Sequence, residues 1–314
     1  MKFRYLLLLG LCSAGCESSQ QNQQARERKQ SLNTKQVEPD EGSTGTTQGS
    51  QETPTSSFVT TTTSKGLIDE EFRVSGGPTT YQAMPVVYGQ GAASAHKGFY
   101  IRDTDSGPSG PGILAIHGIM GPTEAFKRNL MRFAAKGYRV LAIDLYEGKL
   151  PGQDNSAEAE QLHQSIQARG KNDVLSNITS GVDYLRSELG ATSLGVVGWD
   201  EGGYWAIETM SSFPGSFAAL VNYYGSPFEL SKDATSIPIP TLHIFPNEDD
   251  RQTEELLQLE RSINEQSPHK AEFRIYRDVS SDFLEPSKGN QDKENVKIAY
   301  DHTFLYLDAI FKQD

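Results

Sequence analysis

The sequence predicts an α/β domain in which a doubly wound, mostly parallel β-sheet carries helices on both faces. Three observations predict it. Short apolar runs alternate with amphipathic stretches from Gly66 onward. Runs such as 113–116 and 194–197 are continuously apolar, which is typical of strands buried on both faces of a parallel sheet. Residues 198–203 (GWDEGG) join one such run to a helical pattern through a glycine-flanked turn. Because alternating strands and helices connect by right-handed crossovers, we expect one doubly wound domain.

The spacing of apolar residues places the individual elements. Strands are predicted at 82–88, 98–102, 112–117, 139–143, 194–198, 219–223, 241–245 and 272–276. Helices are predicted at 123–135, 157–168, 173–188, 203–211, 252–264 and 293–311. Gly137 and Gly190 follow the first and third helices, where glycine commonly ends a helix.

The first 65 residues differ in composition from this domain. Lys2 and Arg4 precede a short apolar run and the residues Ser-Ala-Gly-Cys16, a pattern typical of a secretory signal peptide. The run is shorter than the roughly 20 residues that span a bilayer. Its end resembles a bacterial lipobox, which implies a signal peptide over 1–15 and lipidation of Cys16. The protein would then be exported and lipid-anchored to the bacterial cell envelope, at the outer membrane where one exists. An ordinary signal peptide with an incidental cysteine is the alternative.

Composition separates a tether from the folded domain. Residues 16–65 are predicted to be the lipidated cysteine and a disordered Gln/Ser/Thr-rich tether, because so few large apolar residues cannot offset chain entropy. Residues 66–314 form the predicted domain, and they contain no cysteine, which excludes a disulfide and a thiolate site there. The net charge is −12, or −14 without Lys2 and Arg4, which disfavours nucleic acid as a partner. Metal and nucleotide motifs are absent, so no cofactor and no metal are predicted.

The turn at 198–203 has the form of a nucleophile elbow, G-x-Nuc-x-G, in which a strained turn lifts one side chain above the sheet. Asp200 stands at the nucleophile position, where serine or cysteine is usual. Four further segments accompany the elbow in order: 113–121 (ILAIHGIMG), 134–146 (AAKGYRVLAIDLY), 239–249 (IPTLHIFPNED) and 276–283 (YRDVSSDF). Together these segments resemble the dienelactone hydrolase family of the α/β-hydrolase superfamily over nearly all of 80–311. The resemblance implies the α/β-hydrolase fold.

The departures from the family pattern fall on the chemistry. By this resemblance, Asp200 replaces the family's nucleophilic cysteine, Ser281 replaces its histidine and Gly118 replaces a glutamate. Asp249 keeps the position of the triad acid, but since no histidine stands at position 281, we expect it to cap the helix that follows. A triad needs a nucleophile, a base and an acid that orients the base. The backbone amides of Ile119 and Glu201 correspond to the oxyanion-hole positions of the fold.

Two functions are consistent with these residues. In the first, the chain is a catalytically silent or altered member of the family that binds a small molecule or an envelope protein. In the second, it is an active hydrolase of esters or lactones, or a dehalogenase-like enzyme with Asp200 as nucleophile, which requires a histidine to activate water. His302 is the one histidine after the last predicted strand, but it lies in a helical stretch. We expect His117 to be a structural histidine, and Trp199 and Trp205 to fill the core or line a pocket.

Overall fold

The computed structural model describes residues 72–75, 80–89, 95–103, 107–152, 155–227, 237–247, 250–277, 279, 283–284 and 293–312. All of them belong to the second of two units into which the chain divides, 1–53 and 54–314. The predicted signal peptide, Cys16 and the predicted tether lie outside the described residues, as do Asp249 and Ser281. Among the described residues, no helix combines the length and apolar character needed to cross a bilayer.

The elements follow one another in the alternating order that the sequence predicts. The strands are β1 (Phe72–Ser75), β2 (Thr80–Tyr88), β3 (His96–Asp103), β4 (Gly110–Ile116), β5 (Arg139–Ile143), β6 (Ala191–Trp199), β7 (Ala219–Tyr223), β8 (Thr241–Pro246) and β9 (Ala271–Tyr276). The helices are α1 (Glu124–Ala134), α2 (Ser156–Arg169), α3 (Lys171–Ser187), α4 (Glu201–Ser212), α5 (Asp250–Gln266) and α6 (Lys293–Phe311).

These strands form one sheet in the order β1-β2-β3-β5-β4-β6-β7-β8-β9. The pairs from β5 to β9 are parallel, whereas β1, β2 and β3 add an antiparallel edge. The predicted fold is therefore confirmed, with one strand more than the sequence analysis found. β6 lies near the middle of the sheet, so the turn that follows it is placed at the centre of the carboxyl edge.

Helices cover both faces of the sheet because neighbouring residues of each buried strand point to opposite sides. On β4, Ile113 and Ala115 join a core that also includes side chains of α1 and α6. Leu114 and Ile116 join a second core that is completed by α2, α3, α4 and α5. All four side chains are fully buried, which explains why this strand is continuously apolar.

Local signals fix several helix ends. Thr123 caps α1 by accepting a hydrogen bond from the Phe126 N–H at 3.2 Å, and Asn155 caps α2 in the same way. Gly190, just before β6, has a φ of +67°, and an added Cβ would lie 2.5 Å from the Pro108 carbonyl oxygen. Glycine is therefore required there by both backbone conformation and space.

Candidate functional site

The site is built on the turn between β6 and α4. Asp200 has φ 52° and ψ −120°, a conformation that non-glycine residues rarely adopt. The glycines around it permit very close packing. A Cβ on Gly198 would lie 2.1 Å from the Gly202 carbonyl oxygen, and one on Gly202 would lie 2.2 Å from that of Ile116. The turn is thus a nucleophile elbow in its backbone, with an exposed aspartate at its tip.

The side chain of Asp200 interacts with the loop that follows β4. The N–H of Ile119 donates a hydrogen bond to Asp200 Oδ2 at 3.2 Å. Among the described residues, this is the one hydrogen bond that the carboxylate accepts. Ile119 was predicted to supply an oxyanion-hole amide, and in the structure the N–H of that residue donates to the carboxylate of Asp200.

Tyr146 holds the same loop from behind. Its hydroxyl donates to the carbonyl oxygen of Ile119 at 2.6 Å, and its ring lies 4.8 Å from that of His117. Burial raises the pKa of Tyr146, and the nearby carboxylates of Asp200 and Glu201 raise it further. The hydroxyl therefore remains protonated and can donate a hydrogen bond. The sequence analysis did not identify Tyr146 as a residue of this site.

His117 is structural, as the sequence analysis expected. Its Nε2 accepts the N–H of Leu145 at 3.0 Å, so its Nδ1 carries the proton and donates to the Gly118 carbonyl oxygen at 2.8 Å. The ring is 2% exposed, and both nitrogens have partners. It is not positioned to act as a base toward Asp200.

The remaining histidines of the described chain also have other partners or lie elsewhere. His302 Nδ1 lies 2.8 Å from the Tyr276 hydroxyl, and it belongs to α6 as predicted. His243 is fully buried, which lowers its pKa to about 3, and it lies 3.1 Å from the Asn222 amide. Within the described ranges, no imidazole lies at hydrogen-bond distance from the Asp200 carboxylate.

Carboxylates dominate the electrostatics around the elbow. Burial raises the pKa of Glu201, the proximity of His163 lowers it, and the charges of Asp200 and Glu160 raise it again. His163 Nε2 is 3.9 Å from Glu201 Oε1, and the Glu201 side chain is one-third exposed. A bound anion would therefore be repelled at this edge of the sheet.

A small pocket opens beside Asp200. It has a volume of about 40 Å³ and is lined by residues of the β4–α1 loop, of α1 and of the elbow: Gly118, Ile119, Met120, Gly121, Thr123, Phe126, Asn129, Trp199 and Asp200. Trp199 lies against the aromatic core as well, 4.8 Å from the ring of Tyr223. Both predicted roles of Trp199 are therefore met, whereas Trp205 packs in the opposite core and does not line this pocket.

The structure brings three of the predicted site residues together: Asp200, Ile119 and Glu201. Asp249 and Ser281 lie outside the described residues, although α5 begins at Asp250, next to the predicted acid. Sequence reasoning missed Asn129, whose signal is a polar residue on the buried face of α1, between Phe126 and Phe133.

A central elbow on a mostly parallel sheet, with helices on both faces, defines a protein of the α/β-hydrolase fold. The family model of the dienelactone hydrolase family matches residues 98–311, and the chain belongs to this family. A carboxymethylenebutenolidase homolog of Mus musculus is 25% identical over 144 residues, which are 45% of this chain and 57% of the relative. The chain thus spans little more than half the length of that relative.

Solved structures show the same fold. A dienelactone hydrolase-like promiscuous phosphotriesterase from metagenomic libraries has a TM-score of 0.58 and 16% identity, with 74% of this chain and 99% of that chain covered. The dienelactone hydrolase of Anabaena variabilis has a TM-score of 0.52 and 18% identity, with coverages of 70% and 96%.

Proposed function

We propose that this chain is a catalytically silent member of the dienelactone hydrolase family that uses the pocket at the elbow for binding. The observation that carries the proposal is the hydrogen bond from the Ile119 N–H to Asp200 Oδ2. It supports the proposal because the carboxylate takes the place of a substrate oxyanion.

Two physical effects oppose ester or lactone hydrolysis here. Loss of one oxyanion-hole donor typically costs about 10²–10³ in kcat. The fixed charge of Asp200 would also repel a developing oxyanion, by roughly 1–4 kcal/mol at 4 Å for an effective dielectric of 80 to 20. Both effects destabilise the same tetrahedral intermediate, so both raise the free-energy barrier to hydrolysis.

The alternative is an active hydrolase in which Asp200 is the nucleophile. Its alkyl-ester intermediate would have to be hydrolysed by water that a histidine activates. Among the described residues, no histidine ring lies at hydrogen-bond distance from Asp200, and the family position of the base is Ser281 by the resemblance. Because no described imidazole lies beside Asp200 to activate water, the hypothesis of a catalytically silent protein is favoured.

Hydrolysis assays on the purified full-length chain test this proposal. Activated esters, lactones and haloalkanes are offered to the parent and to Asp200→Ala, and we expect no turnover above background from either. The double variant Asp200→Cys with Ser281→His restores the family residues and should raise esterase activity above the parent. Parent turnover of around 1 s⁻¹ or more that Asp200→Ala abolishes would refute the proposal.

A third change, Gly118→Glu, also restores a family residue, and we expect the protein to tolerate it only when Asp200 is replaced as well. A Cβ on Gly118 would lie 3.0 Å from the Asp200 Cβ and 3.1 Å from the Trp199 carbonyl oxygen. The carboxylate of the new glutamate would also repel the carboxylate of Asp200. A cysteine at position 200 removes this repulsion. Gly118→Glu should therefore be tolerated better in the Asp200→Cys background, as thermal unfolding of both variants would show.

We also propose that the chain is exported and anchored to the bacterial cell envelope by a lipid on Cys16. At the envelope, the domain would bind a small molecule or an envelope protein. The support is the sequence pattern before Cys16. Radiolabelled palmitate should label the parent and Cys12→Ser, the matched control, but not Cys16→Ser. Labelling that persists in Cys16→Ser would exclude this anchor.

A further inference from the structure

The pocket beside Asp200 has largely apolar walls and a single charged group. Four of the residues that line it have apolar side chains: Ile119, Met120, Phe126 and Trp199. Two polar atoms, Trp199 Nε1 and Asn129 Oδ1, have almost no accessible surface, so they do not face the pocket. The Thr123 hydroxyl oxygen already accepts the Phe126 N–H at 3.2 Å. Asp200 is the one charged residue among the described residues that line the pocket, so its carboxylate decides which polar group can enter.

The carboxylate of Asp200 can accept hydrogen bonds from a ligand. Asp200 is exposed, and its carboxylate accepts one hydrogen bond from the described residues, from the Ile119 N–H to Oδ2 at 3.2 Å. A carboxylate has about four lone-pair sites, so acceptor capacity remains. A Cβ added to Gly118, which also lines the pocket, would lie 3.2 Å from the same Oδ2. A ligand atom beside Gly118 would thus be within hydrogen-bond distance of the carboxylate.

The charges around the pocket favour a cation. Burial raises the pKa of Tyr146, and four carboxylates raise it further: Asp200, Glu201, Asp144 and Glu160. The hydroxyl of Tyr146 donates to the Ile119 carbonyl oxygen, so these carboxylates also act on the loop that lines the pocket. His163 lies 3.9 Å from Glu201 and balances at most one of these charges. The potential at the pocket is therefore negative, which attracts a cation and repels an anion.

We propose that this pocket binds a short alkyl chain that ends in a primary ammonium group. The alkyl chain occupies the apolar pocket, and the ammonium group donates to the carboxylate of Asp200. The volume of about 40 Å³ has room for roughly three water-sized groups, which corresponds to three carbon atoms. This inference rests on the proposed function, since it names the ligand class of the same silent site.

Propylammonium is the probe, and ¹³C-methyl NMR of the methionines in the full-length protein reports its binding. The chain has five methionines. Met120 lines the pocket, whereas Met210 is buried in the core on the opposite face of the sheet from α1. Met120→Leu assigns the Met120 signal. We expect this signal to move saturably with a Kd of about 1–10 mM, which is within the usual range for so small a ligand. The Met210 signal should stay in place.

The length of the alkyl chain tests the apolar part of the pocket. From methylammonium to propylammonium, each added carbon should strengthen binding about fourfold, which is the usual gain for a buried CH₂ group. Butylammonium should bind less than about twofold more tightly than propylammonium, because its fourth carbon stays in solvent.

The charge of the ligand tests the carboxylate. Propanol and butyrate carry the same propyl chain as propylammonium, with a neutral and a negative end. Propanol should bind about fivefold more weakly, which is the usual upper range for one exposed ion pair, and butyrate should bind more weakly still. The preference for propylammonium over propanol should shrink between about 0.01 and 1 M ionic strength, because salt screens exposed charges.

A variant of the same shape tests Asp200 directly. Asp200→Asn removes the charge, and asparagine tolerates the positive φ of the elbow, so the variant should fold. It should weaken propylammonium binding about fivefold and leave propanol binding within about twofold. Glu254→Gln is the matched control, because Glu254 is an exposed carboxylate on α5 that does not line the pocket. It should leave both affinities unchanged.

Four results would each overturn the inference: no saturable movement of the Met120 signal, equal affinity for propylammonium and butyrate, equal affinity for methylammonium and propylammonium, or unchanged propylammonium affinity in Asp200→Asn. Ester turnover by the parent would instead refute the proposed silence, and that result is read from a separate assay.

Discussion

Glycine at position 200 should stabilise this protein relative to alanine at the same position. Asp200→Gly and Asp200→Ala both remove the carboxylate and its hydrogen bond from Ile119, so these losses cancel between them. They differ in the backbone, because φ 52° with ψ −120° strains any residue that has a Cβ. The comparison therefore isolates the strain of the elbow.

The expected difference follows from two opposing contributions. Strain in such a backbone conformation costs about 1–3 kcal/mol, which glycine relieves. Glycine in turn gives the unfolded chain extra freedom, which costs about 0.4–1 kcal/mol relative to alanine. Asp200→Gly should thus be more stable than Asp200→Ala by about 1 kcal/mol. For a domain of this size, that corresponds to a Tm higher by about 2–4 °C.

Urea unfolding and thermal unfolding of the two variants measure this difference. Gly137→Ala calibrates the strain, because Gly137 has φ +88° and open space around an added Cβ. Gly107→Ala is the matched control without positive φ, also in open space, and it should be neutral or slightly stabilising. Equal stability of the two Asp200 variants, together with a loss of about 1 kcal/mol in Gly137→Ala, would refute the strained elbow.

Further predictions concern packing, pH and the loop after β4. Gly202→Ala should abolish folding or cost more than about 3 kcal/mol in urea, because its Cβ would lie 2.2 Å from the Ile116 carbonyl oxygen. Burial lowers the pKa of His243 from 6.5 to about 3, so below pH 6.5 the unfolded chain binds more protons than the folded one. The contribution of neutral His243 to the free energy of unfolding should be fully present above pH 6.5, and it should fall by up to about 1.4 kcal/mol per pH unit toward pH 3. A His243→Gln variant should show a weaker dependence of the free energy of unfolding on pH. Tyr146→Phe removes the donor to Ile119 and should cost about 1 kcal/mol, with faster hydrogen exchange in that loop.

Most of the fold could be predicted because buried parallel strands and amphipathic helices leave strong patterns in a sequence. The predicted helix at 293–311 has the bounds of α6, and the predicted strand at 139–143 has those of β5. β1 was missed, since four residues at an antiparallel edge carry too little pattern and owe their conformation to pairing with β2.

The site could be predicted less completely. The position of Asp200 follows from glycine spacing, because that spacing dictates the turn itself. Its contact with the Ile119 amide could not be predicted, since residues 81 positions apart meet through the packing of two neighbouring strands. The burial of Asn129 Oδ1 and Trp199 Nε1 without a hydrogen-bond partner could not be predicted either, because side-chain directions are determined only by the assembled core.

The backbone of the elbow is held by contacts that do not involve the side chain at its tip. Gly198, Gly202 and Gly203 are packed against carbonyl and amide oxygens at distances that admit no larger residue. The N–H of Asp200 donates to the Tyr223 carbonyl oxygen at 2.9 Å, which any amino acid except proline could do. Reactivity and architecture are therefore separable in this chain. A change at one codon can exchange the chemical group at the centre of the sheet's carboxyl edge while the geometry that presents it stays the same.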